Sequence, residues 1–103
     1  MKYDADPASI VCLSGELLCS CTDDVAVIKD SLPEHIRLTL DEPGCLSFKV
    51  WQTDDALVWR VEESFISSLA FSHHLQRTRA SAWWAATEAI PRNYRITGLE
   101  TSE

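Results

Sequence analysis

The stretch Asp41-Glu42-Pro43-Gly44-Cys45-Leu46-Ser47-Phe48 joins the end of a helical pattern to the start of a strand. Pro43 presets its φ at about −65°, and Gly44 permits the positive φ that the third residue of a type II turn requires, so the pair predicts such a turn. Upstream, Val25, Ile28, Leu32 and Ile36 recur at three- and four-residue steps and so share one buried helical face. Thr22 or Asp23 can cap that helix, and early acidic residues suit the positive end of its dipole. Pro33 lies inside the stripe and removes a backbone donor; because the stripe continues past it, a kink is expected. Downstream, residues 45–52 alternate, with Leu46, Phe48 and Val50 on one side and Ser47, Lys49 and Trp51 on the other.

The rest of the chain extends this pattern in both directions. Residues 10–18 read as a strand rich in β-branched and apolar side chains, with Gly15 as a bulge or a point of close backbone approach. After the polar turn Thr53-Asp54-Asp55, residues 57–63 form another strand, most simply a hairpin with the one before. Residues 67–76 read as a helix with Leu69, Ala70 and His73 on one side and Phe71, His74 and Leu75 on an adjoining one. A shorter helical piece over 77–88 carries Trp83 and Trp84, and Pro91 stops it before a last strand at 93–97. The order β-α-β-β-α-(α)-β predicts an α+β, ferredoxin-like sandwich: a four-stranded antiparallel sheet with helices on one face. The other face mixes polar groups with Trp and aliphatics, and a second copy packed on it would make a two-fold homodimer.

A chain of 103 residues fits a single domain. The first eight or so residues and the end at 100–103 are expected to be flexible. A net charge of −7 with only nine Lys and Arg argues against nucleic acid and against an anionic membrane surface. No apolar run approaches the ~20 residues that span a bilayer, and the acidic, polar opening does not read as a signal peptide, so a cytoplasmic location is expected. In that setting Cys12, Cys19, Cys21 and Cys45 read as reduced. Cys19-Ser20-Cys21 lacks a zinc-knuckle spacer, so no metal is expected. Gly-x-Gly-x-x-Gly and Gly-x-Ser-x-Gly motifs are absent, which leaves nucleotide, flavin and serine-hydrolase chemistry without a visible motif.

Taken with Glu63-Ser64-Phe65, Ala70-Phe71-Ser72-His73-His74 and Arg92-Asn93-Tyr94-Arg95-Ile96, the opening stretch resembles the antibiotic biosynthesis monooxygenase family, and its quinol-oxidising members in particular. The resemblance runs roughly from Ile10 to Leu99. It implies a dimeric α+β barrel, built by pairing two sheets face to face, and an oxygenase that needs no cofactor. The substrate would be a quinol or polycyclic phenol that reacts directly with dioxygen once deprotonated in a dry pocket. His74 matches the family histidine that follows the apolar helix segment and is the candidate base or positioning group; a helix histidine can equally bond a backbone carbonyl. Glu63 matches the acidic residue of a Glu-x-aromatic pattern and can reach His74 to fix its tautomer, or cap the next helix. Trp83, Phe48, Phe65, Phe71 and Tyr94 can line a flat slot or simply form an aromatic core. Arg77 can bind a substrate carboxylate or enolate, or be a solvated surface group. His35 is open to the same two readings.

The chain departs from the pattern in two places. Arg77-Thr78-Arg79 stands where many members carry a second histidine, and the one asparagine, Asn93, lies just before the last strand. Leu13-Ser14 replaces the first-strand asparagine of the haem-degrading branch, so haem breakdown is not expected. An isomerase, or a non-catalytic dimeric ligand-binding protein on the same scaffold, is the alternative.

Overall fold

Four strands and three helices follow one another: β1 (Val11–Leu18), α1 (Thr22–Leu40), β2 (Cys45–Gln52), β3 (Val58–Phe65), α2 (Ser68–Arg79), α3 (Ala82–Thr87) and β4 (Arg92–Thr97). The computed structural model describes residues 8–99. Apart from Ala8, the ends expected to be flexible lie outside the described residues. The strands form an antiparallel sheet in the order β2-β3-β1-β4. This is the ferredoxin-like α+β arrangement expected from the order of elements.

Alternation along the central strands decides which side is covered. In β1, Val11, Leu13 and Leu17 are buried, while Cys12, Ser14 and Glu16 turn the other way. β3 keeps the same phase: Trp59, Val61 and Phe65 enter the core, and Glu63 falls into the same series. Val25, Ile28 and Leu32 of α1, Phe71 of α2 and Trp83 of α3 close over them. Each large apolar side chain buried there contributes roughly 1.5–3 kcal/mol. The stripe on α1 then continues as buried His35 and Thr39, polar groups at apolar spacing.

The Pro43-Gly44 turn forms, with the Cys45 N–H donating to the Glu42 carbonyl at 3.1 Å. It is not type II, because Gly98 alone among the described glycines has positive φ. Pro43 at the second position suits a type I turn equally well. Gly44 is required for a different reason: an added Cβ would land on the Ala70 Cβ and come within 3.2 Å of Ile66 Cγ2. Its carbonyl accepts from the Ile66 N–H at 2.8 Å, so the turn is docked onto the β3–α2 junction.

Other boundaries also differ from expectation. The β2–β3 register shifts between Cys45 and Ser47, and this bulge leaves Leu46 exposed instead of aligned inward with Phe48. Cys21, without a side-chain bond, takes the N-cap of α1 in place of Thr22 or Asp23; Asp24 reaches back to accept the Ser20 N–H at 2.8 Å. α1 is not divided at Pro33 and runs on as one helix, in keeping with the continuing stripe. Ser67 and Ser81 cap α2 and α3 by accepting from Ala70 N and Trp84 N. The helix break therefore falls at Ala80-Ser81, which keeps Thr78 and Arg79 on the last turn of α2.

The uncovered sheet face is polar. Arg60 Nη2 donates to Ser14 Oγ and the Ser14 hydroxyl to Glu62 Oε2, each at 2.6 Å. Trp51, 45% exposed, lies beside Arg60 on this face. Among the described residues, no helix is long and apolar enough to cross a membrane.

Candidate active site

Between the helices and the sheet lies a cavity of about 240 Å³. Every element contributes to its wall: Leu13 from β1, His35 from α1, Phe48 from β2, Glu63 from β3, Trp83 and Trp84 from α3, and Arg92 and Tyr94 from β4. α2 supplies His74, Leu75, Thr78 and Arg79. These four form two pairs at i,i+4, which is one continuous helix face.

His74 is 3% exposed, and its Nδ1 lies 3.0 Å from Glu42 Oε2. Arg77 Nε donates to the same oxygen at 2.6 Å, and Arg77 Nη2 donates to the Thr39 hydroxyl at 2.8 Å. A carboxylate only accepts, so Nδ1 carries the ring proton and Nε2 offers a lone pair. Nε2 lies 3.4 Å from Thr78 Oγ1 and 3.5 Å from Glu63 Oε1. Burial holds the His74 imidazolium below the usual range, partly offset by its bond to Glu42. Burial, with the charge of Glu42 added, pushes the Glu63 carboxyl up to about 8. At neutral pH a neutral acid thus faces a neutral base across the cavity wall.

The expected link between Glu63 and the tautomer of His74 is met by a different residue. Glu42 holds Nδ1, while Glu63 stands at the opposite nitrogen. Glu42 was legible only as a turn residue, because its approach to His74 depends on the docking of Gly44 against Ala70. His35 was named from sequence with two readings open, and Thr39 was detectable in principle, since both extend the 25-28-32 stripe.

The aromatic candidates divide into two groups. Trp83, Phe48 and Tyr94 line the cavity. The Trp83 ring stacks on His35 with centroids 4.9 Å apart and planes 3° apart, and Phe48 meets His35 edge-on at 5.3 Å. Phe65 and Phe71 do not line it. Phe65 packs behind His74 at 4.7 Å between centroids, and Phe71 packs on Phe65 at 5.5 Å, so both form core that fixes the imidazole. Arg77 also stands outside the cavity, since its guanidinium is committed to Glu42 and Thr39; it borders a separate cleft with Glu42 and His73.

His35 is buried and neutral, pushed down to about 3 by burial and then by His74 and the two nearby guanidinium groups. Its Nδ1 has no hydrogen-bond partner among the described residues. The Tyr94 ring crosses Gly15, where an added Cβ would lie 2.7 Å from Tyr94 Cδ1. Burial around its hydroxyl pushes that phenol up to about 12, so it remains a donor.

A ferredoxin-like sheet whose helices enclose an aromatic cavity with a buried His–Glu pair defines a class of small α+β proteins. The sequence profile of the antibiotic biosynthesis monooxygenase family matches residues 23–86, and the chain belongs to that family. Rv0793 from Mycobacterium tuberculosis is similar in fold at 18% identity and a TM-score of 0.69, over 91% of this chain and 98% of that one. SnoaB, a cofactor-independent oxygenase from Streptomyces nogalater, superposes with a TM-score of 0.73 at 10% identity, over 91% and 96%. A conserved protein from Methanosarcina mazei gives 0.71 at 14% identity, over 90% and 95%. No curated protein matches the sequence.

Proposed function

We propose that the protein is a cofactor-independent monooxygenase acting on a quinol-like or polycyclic phenolic substrate. The observation that carries this reading is the line Arg77–Glu42–His74–Glu63, which ends at the wall of an aromatic cavity. Family membership and the similarity to SnoaB support it. A substrate ring lies against Trp83 and Phe48 with its hydroxyl at His74 Nε2. His74 takes the phenolic proton, and the imidazolium that forms is held by Glu42, whose own charge is matched by Arg77. The Thr78 hydroxyl and the Glu63 acid donate toward the phenolate oxygen.

The electron-rich phenolate then supplies the electrons that reduce dioxygen. A ring carbon becomes bonded to the peroxo group, which is protonated to a hydroperoxide. Cleavage of its O–O bond, with loss of the proton from the same carbon, releases water and leaves a quinone. One oxygen atom is retained and the other leaves as water, so no external reductant is consumed. The pairing of a neutral acid with a neutral base also favours a second reading, an isomerase that moves a proton between two substrate positions without oxygen.

Oxygen uptake by the purified protein with a panel of naphthols, anthrones and hydroquinones tests the first reading. His74→Ala is expected to lower turnover by about 100-fold or more. Glu42 raises the His74 pKa, so Glu42→Gln should lower kcat and move the acid limb of the pH profile further down. Uptake that survives in His74→Ala would remove the assignment. Substrate isomerisation without oxygen uptake would favour the second reading.

A further inference from the structure

The charges around the cavity run against those of the whole chain. The protein carries −7, yet the groups on this wall that bear charge at neutral pH are two guanidinium groups, Arg79 and Arg92. Glu63, the carboxyl on the same wall, faces an imidazole from a buried position. Arg92 is turned to carbonyl and hydroxyl oxygens, Thr87 O, Ile90 O and Thr87 Oγ1 at 2.7–2.8 Å, and its guanidinium lies 4.9 Å from the Trp84 ring. Neither arginine forms an ion pair among the described residues, whereas Arg37, Arg60 and Arg77 each do.

Arg79 belongs to the helix face that also presents His74, Leu75 and Thr78 to the cavity. It stands five positions on from His74, which is roughly 7.5 Å along a helix axis. A ligand whose hydroxyl sits at His74 therefore meets the guanidinium at the far end of a fused ring system, not beside the hydroxyl.

From this placement we propose that the cavity selects aromatic substrates carrying an anionic group, most simply a carboxylate, on the ring edge remote from the reacting hydroxyl, with Arg79 as its partner. The proposal rests on the phenolic-substrate reading and names its substrate class. Arg77, the cation singled out from sequence for this task, is occupied by Glu42. Arg79 is exposed at the mouth, where it costs the fold little and remains free to meet an incoming anion.

Titration of tryptophan fluorescence with 6-hydroxy-2-naphthoate, 3-hydroxy-2-naphthoate and 2-naphthol, at pH 7 and low salt, tests this directly. The parent is expected to bind 6-hydroxy-2-naphthoate about tenfold more tightly than 2-naphthol, with 3-hydroxy-2-naphthoate gaining less. Arg79→Gln should bring the ratio of the 6-hydroxy-2-naphthoate and 2-naphthol affinities, measured on the same variant, to about one, and Arg79→Lys should restore part of the preference. Added salt should shrink the preference in the parent. Equal binding of all three ligands, or a preference that survives in Arg79→Gln, would overturn the proposal while leaving the phenolic site intact. Failure of every ligand to bind would overturn both. A preference without oxygen uptake would uphold the anion site and remove the oxygenase reading.

Discussion

Glu63 shows how a single side chain can be read two ways. By composition alone it is one more acidic residue in an acidic chain, singled out only by resemblance; in the fold it occupies a core-facing position of β3, 7% exposed, against His74. Its ionisation near 8 in the folded state, against 4.5 ordinarily, has a consequence for stability. Between those values the folded protein holds a proton that the unfolded chain has released. Raising the pH therefore favours unfolding: the contribution is fully present below about 4.5 and is lost as pH rises through 8. Glu63→Gln removes this dependence and is expected to be more stable than the parent at pH 7 by on the order of 2–3 kcal/mol. The two should be nearly equal at pH 4, as measured by urea unfolding across that range. An equal difference at both pH values would mean that the gain comes from packing and not from the proton.

Among the elements, the connection from α1 to β2 has the largest effect on the site. The turn brings Glu42 under α2, and it can do so only because residue 44 lacks a side chain where Ala70 presses against it. Gly44→Ala is expected to destabilise the protein by roughly 1–3 kcal/mol through overpacking. It should also displace Glu42, raising the apparent KM or lowering kcat for any substrate that His74 deprotonates. Pairing Gly44→Ala with Ala70→Gly should restore stability, and thermal unfolding of the single and double variants checks this. Ser81 acts on the same scale. It donates to the Thr78 carbonyl at the end of α2 and accepts from Trp84 N at the start of α3, and with the break placed there the last turn of α2, through Arg79, belongs to the cavity wall.

At the scale of the molecule, two unlike faces share one sheet. The helix-covered face holds the core and the cavity, and the other presents Ser14, Arg60 and Glu62 in a hydrogen-bonded row beside exposed Trp51. We expect a second copy to cover this row, burying about 800 Å² per partner. The parent should then sediment as a dimer, and Trp51→Glu, which places a carboxylate in the interface, should shift it to monomer. Much of this architecture was legible from residue order. Periodicities of 3.6 and 2 identified the elements, and their sequence left the ferredoxin-like sheet as the simple antiparallel solution, because apolar spacing reports directly on which face is buried. The candidate site was only partly legible. His74 and Glu63 were picked out through resemblance, but the groups that give them their chemistry, Glu42, Arg77, Thr78 and His35, come from α1, the turn after it and α2, with 43 positions between His35 and Thr78. Local pattern carries no information about which distant polar atoms will meet. The sequence by itself determined the elements, their order and the covered face. The tertiary structure decided that Glu42 holds His74 and that Glu63 keeps its proton, because only packing sets the distances and the loss of water on which those charges depend.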